Sequence, residues 1–269
     1  MLRVKCVSLD LDGTLLNTNL EITSASLETI VGLKEKGIEV IINTGRAFSD
    51  VIKVPGIKEL NCPIVCVNGA ILFSKTGELL FEATLDRSIY MPIFSSLKSL
   101  GVGILIYTDQ GGFPSTLPPT HHKTPEELDN LFDSFDYEAL LEKQDLKIYK
   151  LIALVYPHQL EKVDRVKKEL AQFEKISMAS SFPNNVEITS IEAHKGLALH
   201  RFAQLNELQF DEIYAFGDGG NDLSQFEVAT HSIAMANAPQ EIKDQASFVT
   251  KSNDEDGITY AIRDVFKLI

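Results

Sequence analysis

Long apolar runs are missing from this chain. None reaches the roughly 18–20 residues that a bilayer-spanning helix needs. The N-terminal Met1-Leu2-Arg3-Val4-Lys5 runs straight into a strand-like segment ending in acids, without a secretory apolar stretch or small-residue cleavage site. Cysteine is scarce too. Cys6, Cys62 and Cys66 have apolar neighbours and an odd count, which suits reduced, buried thiols. Cys62 and Cys66 lack the second cysteine pair that would suggest zinc. A cytoplasmic location is the resulting expectation. Positive charge is also short: Lys and Arg number 25 against 38 Asp and Glu, for a formal net charge of −13. That argues against a nucleic-acid partner, since phosphate backbones are gripped by clustered Lys and Arg. No membrane partner is expected either. An acidic protein can still bind a small anion where a metal and a few local cations reverse the field.

What is present suits a folded α/β protein. With 269 residues and 44% hydrophobic content, the chain has room for one domain plus an insertion. Val4 to Leu9 reads as a short buried strand. Leu27, Ile30, Val31 and Leu33 recur at helical spacing between about Ser24 and Lys36, and Gly37 stands where a helix would be capped. Further strands are expected at Val40–Ile42, Ile64–Val67, Ile213–Phe216, Ser232–Met235 and Ser247–Val249. Near-continuous apolar strands alternating with helices indicate a parallel sheet covered on both faces. Ligands bind such sheets outside the carboxyl ends of the strands, and most of these strands run directly into a polar motif.

The middle of the chain differs. From about Thr84 to Thr189, strand-like runs (Gly103–Tyr107, Ile148–Val155) mix with a helical one (Leu160–Phe173) and a Pro- and Gly-rich loop, Gly111 to Pro125. The expected organisation is a core made of 1–83 and 190–269, with a second α/β domain, 84–189, inserted in it. Acids outnumber Lys and Arg in the insertion as well, so it is no basic clamp for a polymer.

Four segments carry candidate chemistry. Asp10 and Asp12 flank Leu11 at a strand end, followed by Gly13 and Thr14. Two carboxylates this close repel unless a cation sits with them, so a divalent metal is a natural resident. A calcium loop would continue with more acids, whereas this one continues Thr14-Leu15-Leu16. Thr44, in Asn43-Thr44-Gly45-Arg46, offers a hydroxyl and backbone N–H groups for phosphate oxygens. Lys195 begins an apolar-periodic helix, an end where the helix dipole favours acids. It is either solvated or paired with an anion or a carboxylate. Asp218 and Asp222 lie four apart among Gly217, Gly219 and Gly220, which permit tight turns and close approach to a ligand.

Together these segments resemble the four motifs of the haloacid dehalogenase-like hydrolase superfamily, and more narrowly its Cof-type sugar-phosphate phosphatase branch. Asp10-Leu11-Asp12-Gly13-Thr14-Leu15-Leu16 matches the first motif, Thr44-Gly45-Arg46 the second, Lys195-Gly196 the third and Gly217-Asp218-Gly219-Gly220-Asn221-Asp222 the fourth. Asn68-Gly69-Ala70 and Met235-Ala236-Asn237-Ala238 are similar to that branch too. Leu9, where an aromatic is common, and Gly220, where an acid is frequent, depart from the pattern without removing a reacting group.

The resemblance implies a Rossmann-like doubly wound core with an α/β cap that closes over the strand ends. It implies a Mg²⁺-dependent phosphomonoester hydrolase. Asp10 would be the nucleophile and Asp12 the acid and base. Asp10, the Asp12 carbonyl and Asp218 would hold the metal, with Asp222 direct or through water. Leu11, Thr44, Gly45, Lys195 and Asn221 would hold the phosphoryl group. Arg46 would reach substrate or form a structural salt bridge. The expected partner is a small phosphorylated metabolite: a sugar phosphate first, then a phosphorylated cofactor such as pyridoxal phosphate or FMN. His121-His122-Lys123 is a candidate substrate contact or a solvated loop, and the assembly is expected to be a monomer or small homo-oligomer. A sugar phosphomutase and a catalytically silent binding protein are the alternatives. The mutase would need cap cations for a second phosphate, and no tight arginine cluster stands in the insertion.

Overall fold

The computed structural model describes residues 1–114 and 123–269. Its strands run, in chain order, β1 (Leu2–Leu9), β2 (Glu39–Asn43), β3 (Ile64–Cys66), β4 (Ile71–Phe73), β5 (Leu79–Glu82), β6 (Gly103–Thr108), β7 (Gly111–Phe113), β8 (Ile148–Leu154), β9 (Ile176–Ala179), β10 (Asn185–Ser190), β11 (Leu208–Gly217), β12 (His231–Ala234) and β13 (Phe248–Val249). They belong to two compact units, Met1–Glu82 with Ala193–Ile269, and Ala83–Glu192.

The discontinuous unit is built on one sheet in the order β13-β12-β11-β1-β2-β3-β4-β5. It is parallel from β13 through β3, after which β4 and β5 fold back antiparallel. That antiparallel tail was not expected from the apolar pattern, because its strands are short and half-exposed. The central strands are buried on both faces. Cys6, Ile41 and Val65 pack against Ala198, Leu199 and Phe202 of the helix Lys195–Leu205. The helix Ser24–Glu35 buries Ile30 and Leu33. The Thr23 hydroxyl caps that helix by accepting from Ser26 N at 3.1 Å. Gly37 follows its end at φ +74°, a conformation that side chains resist.

This topology places the site. β1 has β2 on one side and β11 on the other, so the strand order reverses around it and a crevice opens beyond its carboxyl end. Leu9 pairs with both Ile42 and Phe216. Asp10, Thr44 and Asp218 therefore leave the sheet at nearly one level. β11 is longer than expected: its first half alternates exposed and half-buried residues, so its sequence does not read as a buried strand.

The inserted unit has an antiparallel sheet in the order β7-β6-β8-β10-β9. One face packs on the helices Arg87–Leu100 and Glu161–Leu170, through side chains such as Ile93, Leu97, Val166 and Leu170 against Ile106 and Ile188. The other face carries Leu105, Ile152 and Leu154 against Leu128 and Phe132 of the helix Pro125–Ser134. Both described ends of the stretch expected as a loop, Gly111 to Pro125, belong to regular elements. Gly111–Phe113 pairs with β6, and Pro125 opens a helix with a Thr124–Glu127 capping box, a position where its missing N–H costs nothing. Among the described residues, no helix is long and apolar enough to cross a membrane.

Candidate active site

The turn after β1 is tight. Asp10 is 5% exposed, its backbone N–H donates to the Phe216 carbonyl at 3.1 Å, and Gly13 adopts φ +70°. A Cβ on Gly13 would collide with the Asp218 carboxylate, so glycine serves there for both conformation and space. Thr14 Oγ1 donates to Asp218 Oδ1 at 3.1 Å, tying the first acidic segment to the last.

Lys195 stands at the centre. The helix that begins with it is capped by His194, whose Nδ1 accepts from Leu197 N at 3.1 Å. Burial lowers the His194 pKa, which suits a neutral, accepting imidazole. Lys195 is fully buried and donates to Asp10 Oδ1 at 2.5 Å and to Asp222 Oδ1 at 2.6 Å. Of the two readings of this lysine, solvated or paired, the structure shows the second. Burial alone would lower its pKa, but Asp10 and Asp222 outweigh burial and the net shift is upward.

The acids respond in kind. Asp10 is pushed well above the usual carboxylate range, chiefly by burial; Lys195 opposes that shift, while Asp222 and Asp218 add to it. Asp218 is pushed up to about 7 by burial and then by Asp222, against the pull of Thr14 and Lys195. One ammonium thus serves three clustered carboxylates, those of Asp10, Asp218 and Asp222, each with an oxygen within 4.8 Å of the others. Oxygen donors with surplus negative charge are the donor set that a hard divalent cation takes.

Asp222 is committed differently from the other two. Its Oδ2 accepts from the backbone N–H of Asp218 at 2.9 Å and of Gly219 at 3.0 Å. Its Oδ1 accepts from Lys195 and, at 2.8 Å, from Gln225 Nε2. Those four bonds fill the roughly four lone-pair sites of a carboxylate. Asp222 is built to hold Lys195 and its own loop.

A second group of residues forms a polar rim. Thr44 is buried, its N–H donates to Val65 O at 2.9 Å, and its hydroxyl accepts from Arg46 N at 3.2 Å. Asn221 Nδ2 donates to Asn68 Oδ1 at 3.2 Å, and a Cβ on Gly45 would fall 2.8 Å from that oxygen. Asn68 was noted in the sequence without a role. It lies in three consecutive positive-φ residues, Val67 at 52°, Asn68 at 57° and Gly69 at 100°. For β-branched Val67 this is a strained conformation. A Cβ on Gly69 would strike the His194 backbone, so this loop is pressed against the cap of the Lys195 helix.

Asp12 and Arg46 form a fork. Arg46 Nε donates to Asp12 Oδ2 at 2.7 Å, and Arg46 Nη2 donates to Asp12 Oδ1 at 2.5 Å. Donating to the Asp12 carboxylate raises the Arg46 pKa. The salt-bridge reading of Arg46 is therefore the one seen here. Leu11 is buried behind Asp10. His121 and His122 lie outside the described residues, and Lys123 is half-buried ahead of the helix Pro125–Ser134. Ser8 and Gln225, which lie under this site, were missed in the sequence, since each sits inside a strand or helix, where a lone polar residue gives no motif; Asn43, beside them at the end of β2, was quoted with Thr44 but given no role.

Comparison with known proteins agrees with the geometry. A model of haloacid dehalogenase-like hydrolases matches residues 7–262. A 5-amino-6-(5-phospho-D-ribitylamino)uracil phosphatase of Bacillus subtilis is 34% identical, over 96% of this chain and 97% of its own. A second Bacillus subtilis protein, named as a phosphatase, is 30% identical over 97% and 99%. A solved haloacid dehalogenase-like hydrolase from B. subtilis superposes with a TM-score of 0.83 at 25% identity, covering 97% of this chain and 100% of that one.

Proposed function

The chain belongs to the haloacid dehalogenase-like hydrolase family and is a phosphatase of it, and on that premise we propose that it cleaves small phosphate monoesters through an aspartyl-phosphate on Asp10. The observation that carries this is the Asp10–Lys195–Asp222 contact. It joins segments 185 residues apart around one buried ammonium. Lys195 keeps a buried carboxylate beside a cation, where it can act as a nucleophile and where an incoming phosphate's charge is met. Asp10 and Asp218, with the Asp12 backbone carbonyl, would hold Mg²⁺, while Asp222, whose oxygens are taken by Lys195, Gln225 and the backbone N–H groups of Asp218 and Gly219, would steady that site from behind. Bound there, the ion would neutralise charge on the phosphoryl oxygens.

Asp10 attacks phosphorus while the ester oxygen leaves with its electron pair. Asp12 protonates that oxygen, then takes a proton from the water that hydrolyses the acyl phosphate. Both Asp12 oxygens accept from Arg46 in this structure, so the fork must open before Asp12 can give a proton. Thr44, the Leu11 and Gly45 backbone N–H groups, and Asn221 would donate to the phosphoryl oxygens, with Asn68 orienting Asn221.

We assign the inserted unit the choice among esters. The panel should begin with a phosphoribitylaminopyrimidine, the substrate class in the name of the 34%-identical relative, followed by sugar phosphates, pyridoxal phosphate and FMN. The formal charge of −13 disfavours polymeric phosphates. Phosphate release with and without Mg²⁺ tests the proposal, with Asp10→Asn alongside. Turnover that survives exhaustive chelation would remove the metal. Equal turnover by Asp10→Asn would remove the mechanism.

A further inference from the structure

Beneath Asp10 and Lys195 lies a buried cluster of amides and a hydroxyl that the reaction above does not use. Gln225 is fully buried and stands three residues after Asp222. Its Nε2 donates to Asp222 Oδ1 at 2.8 Å and to the Phe216 carbonyl at 3.1 Å. Its Oε1 accepts from the Ser8 hydroxyl at 2.6 Å and from Asn43 Nδ2 at 3.3 Å. A carboxamide has two N–H donors and two acceptor sites, and in Gln225 all are engaged. Asn43 Nδ2 also donates to the Lys195 backbone carbonyl at 3.1 Å and lies 3.3 Å from Ser8 Oγ.

We propose that Gln225, oriented by Ser8 and Asn43, is a positioning residue: it fixes the Asp222 carboxylate and thereby aims the Lys195 ammonium at Asp10. Two observations carry this. First, Asp222 Oδ1 accepts from Lys195 and Gln225 together, so the amide sets where that oxygen meets the ammonium. Second, the anchors of the amide lead into the reacting segments. Ser8 precedes Asp10 by two residues, Asn43 directly precedes Thr44, and Phe216 precedes Asp218 by two. One side chain therefore ties the ends of β1, β2 and β11 to one another and, through Asn43, to the Lys195 helix. Stability alone is a poor account of the cluster. An apolar side chain of similar size at 225 would fill the space without burying a carboxamide that must be matched on both sides, and Asn43 Oδ1 stays buried without a hydrogen-bond partner among the described residues. Orientation of a reacting pair is what such a network adds, because small misplacements at a reacting centre cost turnover steeply.

The kinetic consequence rests on the phosphatase reading above; the structural one does not. In Gln225→Met, kcat for p-nitrophenyl phosphate with Mg²⁺ falls about 10- to 100-fold, the loss of one hydrogen bond to a charged group. KM moves less than about twofold, since Thr44 and Asn221 are untouched. Ser8→Ala lowers kcat less, and in the Gln225→Met background it costs nothing more, because it acts through the amide. A purely structural cluster would lower the melting temperature and leave kcat per folded molecule unchanged; that result overturns the inference. Should Gln225→Met fail to fold, Ser8→Ala carries the same test, and an unchanged kcat there is equally fatal. A crystal structure of whichever variant folds gives the second readout. We expect the Lys195 ammonium to shift by about 0.5 Å or more from its place between Asp10 and Asp222. Unchanged Lys195 contacts overturn the proposal even if the protein hydrolyses no ester. Equal turnover by Asp10→Asn and the unaltered protein sinks the phosphatase mechanism instead, and leaves the crystal comparison to decide positioning.

Discussion

Replacing Asp218 by asparagine should make the metal-free protein more stable. The substitution keeps the shape of the side chain, and the amide oxygen can still accept from Thr14 Oγ1, which lies 3.1 Å from Asp218 Oδ1. What disappears is a negative charge crowded by Asp222 and Asp12 and short of water. Those influences push the Asp218 carboxyl from an ordinary 3.8 up to about 7. The sign follows from linkage. A carboxyl whose pKa is raised by folding is protonated more readily in the native state, so its contribution to stability is whole below about pH 4. It is lost as pH rises to about 7. At 1.36 kcal/mol per unit the full loss is on the order of 4 kcal/mol, and partial solvation brings the working figure to about 2–4 kcal/mol. For a chain of this size that is roughly 5–10 °C in melting temperature. The assay is thermal unfolding of both proteins in chelator at pH 4, 6 and 8. Asp218→Asn should melt higher at pH 8, with the gap closing towards pH 4. Added Mg²⁺ should raise the unaltered protein and leave the variant where it was. No gain at pH 8, or a gain equal at pH 4 and pH 8, refutes the reasoning that the cluster stores repulsion for a cation.

Three further outcomes follow from the same contacts. Lys195→Met strips the only counter-ion seen, among the described residues, on Asp10 and Asp222, both 5% exposed or less; urea unfolding at pH 7.5 should show a loss of about 3–5 kcal/mol, as for breaking any buried pair from one side. Arg46→Met breaks a fork whose side chains are 25% and 45% exposed, so stability should change by no more than about 1 kcal/mol. Its effect should instead appear in kcat, and unaltered kinetics would mean that the fork is not on the reaction path. Gly13→Ala forces a Cβ into the Asp218 carboxylate from a backbone at φ +70°; calorimetry should show Mg²⁺ binding weakened at least about tenfold if Asp218 is a ligand.

Much of the site was legible because its chemistry comes in compact runs of sequence. Asp10 and Asp12 at one strand end, Thr44 at another, and Asp218 with Asp222 among glycines each announce a polar turn after an apolar strand. Their meeting could be inferred from the rule that parallel strands deliver their carboxyl ends to one edge. The antiparallel β4 and β5 were not legible, since three- and four-residue strands with half-exposed side chains carry too little periodicity. Half of β11 was hidden for the same reason.

Residue order along the chain was thus enough to single out the polar turns that the fold brings to one edge, because strand, turn and glycine patterns are local and each motif lies within a few residues. Pairing is not local. Whether Lys195 is solvated or buried, and whether Arg46 reaches outward or clasps Asp12, depends on distances between segments up to 185 residues apart. The same holds for Gln225, whose partners Ser8 and Asn43 come from two other strands. Lone polar residues inside apolar elements have no signature of their own. Only the folded sheet, which brings β1, β2 and β11 side by side out of water, decides which of them meet and how strongly they interact.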